Sequence, residues 1–70
     1  MARGIKIEYD TDLLNRMVYV VEFLEDEWDS ESSIGTVPYR YLNEAQAAGR
    51  AWLYGKANKI SDLAPVDEPA

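Results

Sequence analysis

The stretch Asn43 to Ile60, NEAQAAGRAWLYGKANKI, constrains the fold more than any other part of this chain. Its alanines at 45, 47, 48, 51 and 57 are the strongest helix formers. Leu42, Ala45, Ala48, Gly49, Trp52, Leu53 and Ile60 recur at spacings of three and four and so share one face. Asn43 has the side chain of an N-cap, and Gln46 stands three residues on, as in a capping box. Glu44 lies toward the positive end of the helix dipole, and Arg50, Lys56 and Lys59 toward the negative end. The small residues of the apolar face let a backbone approach closely, so this end is expected to lie flat on a sheet. Trp52 then plugs the far end of the core. Gly55 is open to two readings. It is either an interior glycine, costing about 1 kcal/mol against alanine, or the C′ residue that stops the helix after Tyr54. The expected helix runs on to about Lys59.

A helix with one apolar face needs a partner, and the preceding residues supply strands. Ile5, Ile7 and Tyr9 alternate with Lys6 and Glu8, the period of a half-buried strand. Asp10 to Asn15 has turn composition and is expected to form a loop, with Leu13 and Leu14 tucked against the edge of the core. Residues 16–28, RMVYVVEFLEDEW, fit two patterns. Leu14, Met17, Val18, Val21, Leu24 and Trp28 make a helical stripe, with Thr11 as N-cap. Strand is favoured, because a helix would leave Tyr19 and Phe23 on its polar side and turn Glu25 into the stripe. It would also set Glu25, Asp26 and Glu27 at a C-terminus, where the dipole disfavours them. Asp29 to Ser33 has loop composition. Ile34 to Leu42 reads as a third strand, confined by Pro38 to an edge or a bulge. The expected class is α+β: a three-stranded antiparallel sheet in the order β-β-β-α, with one helix on one face. The opposite face, carrying Val18, Val20 and Leu24, is expected to hold an apolar patch. Residues 1–64 make one small domain, with Leu63 at its margin, and 65–70 an acidic, disordered tail.

Composition narrows the chemistry. There is no His and no Cys, which removes the commonest general base, thiolate metal sites and disulfides. The serines at 30, 32 and 33 have no base beside them. The glycines make no phosphate-binding spacing. No cofactor and no enzymatic activity is expected. No segment has the length of a membrane span or the pattern of a signal peptide, so a cytoplasmic protein is expected. The net charge of −6 opposes direct contact with nucleic acid or anionic membrane and suits a basic partner.

The acids are not spread evenly. Glu22, Glu25, Asp26, Glu27, Asp29 and Glu31 fall within ten residues without an intervening Lys or Arg. A solvated, self-repelling hairpin is the plainest account. A patch that docks on a Lys/Arg groove is the functional one. The spacing Glu27-x-Asp29-x-Glu31 matches the start of a calcium loop, but Ser32 holds the glycine position and Pro38 the bidentate glutamate position. A paired-carboxylate hydrolase needs two carboxylates fixed across a cleft, which an acidic hairpin does not provide. Trp28 stands between Glu27 and Asp29, and with Tyr39 and Tyr41 is a candidate interface anchor.

In size, acidity and lack of Cys and His, the chain resembles small phage-encoded inhibitors of host nucleoprotein machines, the anti-CRISPR proteins among them. The resemblance is one of overall character. It implies a binding protein whose carboxylates occupy a basic groove of a host complex that normally holds nucleic acid. Glu22, Glu25, Asp26, Glu27, Asp29 and Glu31 would then stand in for phosphates, with Trp28, Tyr39 and Tyr41 as apolar anchors. A second reading is a small assembly module that self-associates, as a homodimer, through its open sheet face or an edge strand.

Overall fold

Alternating side chains from Gly4 to Thr11 form β1, which a tight turn returns as β2, Met17–Leu24. A 3-10 turn at Ser30–Ser32 leads into β3, Ser33–Tyr39, and then α1, Leu42–Leu53. A second 3-10 turn covers Ile60–Asp62. The computed structural model describes residues 2–65. The sheet is antiparallel in the order β1-β2-β3 with one helix against it, the α+β arrangement expected. The tail expected from residue 65 lies, from 66 onward, outside the described residues.

The first hairpin is set by Asp12. Its carboxylate accepts the N–H groups of Leu14 and Arg16, both at 2.9 Å, and binds the Arg16 side chain at 3.0 Å. The Arg16 backbone N–H is the main cause that holds this carboxyl below its usual range. Asn15 N–H donates to Asp12 O, and Asn15 takes φ 65°, a left-handed conformation that Asn tolerates. Leu13 and Leu14 consequently point outward, 104% and 70% exposed, and are not tucked against the core. The cause is the turn itself: the three residues between Asp12 and Arg16 project beyond the strand ends.

Residues 16–28 are extended only over Met17–Leu24; the chain turns at Glu25. The register pairs Ile7 with Val21 and Val21 with Val37, and Tyr9 with Tyr19 and Tyr19 with Tyr39. Period-two alternation puts these rows, with Ile5 and Phe23, on the face under α1. Trp52, Phe23 and Val21 are fully buried there, each contributing about 1.5–3 kcal/mol. Phe23 meets Trp52 edge to face at 6.0 Å, and Trp52 Nε1 donates to Leu24 O at 2.9 Å, so the indole is buried with its donor satisfied. Ala45 and Gly49 are buried where α1 crosses the sheet. Leu42 and Leu53, expected on the apolar face, are about two-fifths exposed, at 43% and 42%.

Both ends of α1 differ from expectation. Tyr41, not Asn43, is the N-cap, and it makes no side-chain cap bond. Tyr41 O accepts Ala45 N–H, so burial of Ala45 under the first turn fixes the start. At the other end Gly55 takes φ 75°. Its N–H donates to Trp52 O, and Lys56 N–H donates to Ala51 O at 2.8 Å, the paired bonds of a Schellman cap. The helix therefore stops at Leu53 and does not reach Lys59. The chain after it turns back, burying Ala57 and Leu63.

β3 ends at Tyr39 and does not continue to Leu42. Pro38 lies on the sheet's outer edge. Its neighbours Val37 and Tyr39 share rows with β2 and turn their backbone groups inward, so the donor that proline lacks is one the ladder does not use.

Candidate protein interface

The link between β2 and β3 is a bonded platform, not a loose acidic hairpin. Asp26 Oδ1 accepts Trp28 N–H at 3.0 Å, and Asp29 Oδ1 accepts Glu31 N–H at 2.9 Å. The Ser32 hydroxyl accepts Asp26 N–H at 2.9 Å and lies between the carbonyls of Asp26 and Asp29. Backbone bonds from Glu25 N–H to Ser32 O and from Glu27 N–H to Ala2 O tie the platform to the sheet and the N-terminal strand. Local side-chain bonds of this kind are why Asp and Ser favour such turns over regular structure.

Trp28 stands on this platform 87% exposed. Glu25, Glu27 and Glu31, on the same loop, are also exposed. Glu25 is paired with Arg3, whose Nε is 3.9 Å from it. Arg3 is otherwise engaged elsewhere. It lies over the Trp52 ring and donates to Trp52 O, Ala57 O and Asn58 Oδ1. The platform thus presents an indole in a field of carboxylates, two of which, Asp26 and Asp29, are partly occupied by backbone N–H groups. Among the described residues no group of three or more Asp and Glu is placed to hold a metal.

Three of the expected site residues lie elsewhere. Glu22 is in β2, its Cα partnered by Lys6 and Thr36. Together with Glu8 and Val20 these line a shallow concavity of about 190 Å³ on the sheet face away from α1. Tyr39 is 3% exposed and donates its hydroxyl to Leu63 O, so it is a core residue and not an anchor. Burial, with the charge of Glu44 second, pushes its pKa up to about 12. Tyr41 is 60% exposed but follows the end of β3 opposite the acidic platform. Among the described residues the open face does not form the apolar patch expected of it. Val18 and Leu24 are each 3% exposed, and the concavity is lined chiefly by Lys6, Glu8, Glu22 and Thr36.

The role of Arg3 was not legible in the sequence. It precedes the first strand, and its partner is separated from it by 49 positions. Comparison with protein-family models, curated proteins and solved structures found no match to the chain.

Proposed function

We propose that this chain is a non-enzymatic binding module, an inhibitor of the anti-CRISPR kind, that docks its Glu25–Glu31 platform on a basic protein surface which otherwise holds nucleic-acid phosphates. The observation that carries the reading is Trp28, left 87% exposed on a loop held by a dense set of hydrogen bonds. A solvated acidic loop has no need of an indole at its crest. Trp is enriched among residues that dominate binding energy, and a rigid presentation lowers the ordering cost of association. Glu25, Glu27 and Glu31 steer that indole toward Lys and Arg and reject acidic partners. Asp26 and Asp29 build the platform, with their remaining oxygens free to accept. Glu22, Tyr39 and Tyr41 are not part of this surface.

The immobilised chain is expected to capture a basic protein from a bacterial lysate. Raising the salt, or adding duplex DNA as competitor, should release it. Trp28→Ala and the triple change Glu25→Gln, Glu27→Gln, Glu31→Gln should each abolish capture. A captured protein that resists both salt and DNA would sink the reading.

A further inference from the structure

The two edges of the sheet are not alike. On β3, Pro38 removes the outward donor, and the Ile60–Asp62 turn packs against the strand. On β1, among the described residues, nothing pairs with the outer side. That strand is eight residues long and contains no proline. Natural sheets guard such an edge, and here the guards are charges, Lys6, Glu8 and Asp10, rather than a proline or a covering turn.

The direction of its backbone groups follows from the hairpin. Asp12 N–H donates to Arg16 O at 2.8 Å, making these two a hydrogen-bonded pair. Bonded and non-bonded pairs alternate along an antiparallel ladder. With Asp10 opposite Val18 and Glu8 opposite Val20, the even-numbered residues of β1 therefore turn their N–H and C=O groups toward β2. Ile5, Ile7 and Tyr9 turn theirs outward.

We propose that β1 pairs antiparallel with β1 of a second copy about a two-fold axis at Ile7, joining the two sheets edge to edge. In that register Ile7 meets Ile7 and Ile5 meets Tyr9 as bonded pairs, all on the face that carries α1. Lys6 meets Glu8 twice as a non-bonded pair, where side chains approach most closely. Asp10 meets Gly4, where Glu27 fills the side-chain space, so this end pair is the one acidic approach in the register. Sliding by two residues in either direction opposes Lys6 to Lys6 or Glu8 to Glu8. Sliding by one puts apolar residues against charged ones. Sliding toward Glu8–Glu8 also sets Lys6 opposite Asp10, so the register centred on Ile7 is favoured because Lys6 and Glu8 meet there with no like-charged pair at the axis.

Two further features favour this occupant. Ile7 and Tyr9 are 37% and 59% exposed, although they belong to the apolar face, and Tyr9 already packs against Tyr19, the rings tilted by 36° with centroids 4.8 Å apart. A neighbouring copy's Ile5 would cover Tyr9. The axis at Ile7 also sends the two acidic platforms to opposite ends of the joined sheet. Their separation then exceeds the Debye length of about 8 Å at physiological salt, so the net charge does not oppose contact strongly.

Sedimentation of the full chain, from micromolar into millimolar concentration, tests the proposal. A reversible monomer–dimer equilibrium is expected. Glu8→Lys sets like charges opposite Lys6 twice per dimer and should weaken association about tenfold. Its partner within the chain is Val20, so the fold is little affected. Lys6→Glu should weaken association likewise, and the double exchange Lys6→Glu with Glu8→Lys should restore it. Far-UV circular dichroism of each variant verifies folding. A monomer at every concentration overturns the proposal. A dimer that both single reversals leave unchanged also overturns it. The platform reading is independent, since Trp28→Ala leaves this edge intact.

Discussion

The Arg3 guanidinium stands 3.8 Å from the ring centroid of Trp52 and donates to the backbone carbonyl of the same residue. It therefore seals the C-terminal end of α1, holding the residues after the Schellman cap through Ala57 O and Asn58. Arg3→Ala removes a partly desolvated cation–π contact and takes the side-chain donor from Ala57 O, while Trp52 O keeps the Gly55 N–H. It should cost about 2–3 kcal/mol, a large share of the stability of so small a domain. Arg3→Lys should recover only part, because an ammonium cannot both stack and reach three acceptors. Urea unfolding of the three proteins measures this.

Gly4 and Gly55 should respond to alanine for different reasons. A Cβ at Gly4 would lie 2.6 Å from Glu27 Cβ and 2.7 Å from Glu27 Cα, so the N-terminal strand or the platform must move. A cost of about 2 kcal/mol is expected. At Gly55 nothing lies within 4 Å, and only the φ of 75° is unfavourable. That cost should stay near 1 kcal/mol. Equal losses in chemical denaturation would contradict the packing at Gly4.

Alkaline unfolding should report Tyr39. Its hydroxyl is neutral in the fold up to about pH 12 but titrates near the ordinary value of 10.0 once unfolded. The folded state holds the proton more tightly, so this stability is fully present below pH 10 and is lost as pH rises toward 12. Tyr39→Phe should lower stability at neutral pH by about 1–2 kcal/mol, since Leu63 O loses its buried donor. It should also flatten the pH dependence between 10 and 12. An unaltered alkaline transition in the variant would count against Tyr39 as its origin.

The two tryptophans make opposed reporters. Trp52 is fully buried and Trp28 is 87% exposed. Fluorescence of Trp28 should be quenched by caesium far better than by iodide, because the surrounding carboxylates attract the cation and repel the anion. Added inert salt should narrow the difference. Trp28→Ala should leave a blue-shifted, poorly quenched emission and change stability by less than about 0.5 kcal/mol.

The legible parts of the fold were those whose pattern is local. Alternation in Ile5, Ile7 and Tyr9 marked β1, and Tyr19 with Phe23 tipped the next segment to a strand. The ends were less legible because tertiary contacts set them. Ala45 is buried and bonded to Tyr41 O, which sets the helix start ahead of Asn43, and Gly55 adopts its left-handed turn so that Ala57 and Leu63 return to the core. For the candidate interface, sequence revealed the acids but not their division of labour. Asp26 and Asp29 differ from Glu25, Glu27 and Glu31 by one methylene, and the shorter side chains bend back onto the loop's own N–H groups. Tyr39 and Tyr41 looked equivalent until the end of β3 turned one inward.

Pro38 has a meaning beyond its own strand. A sheet with one border open and the other shut can accept a single neighbour and then has nothing left to offer. Pairing through β1 would leave only the two proline-bearing borders outside, so growth terminates at the pair and cannot run on into a fibre.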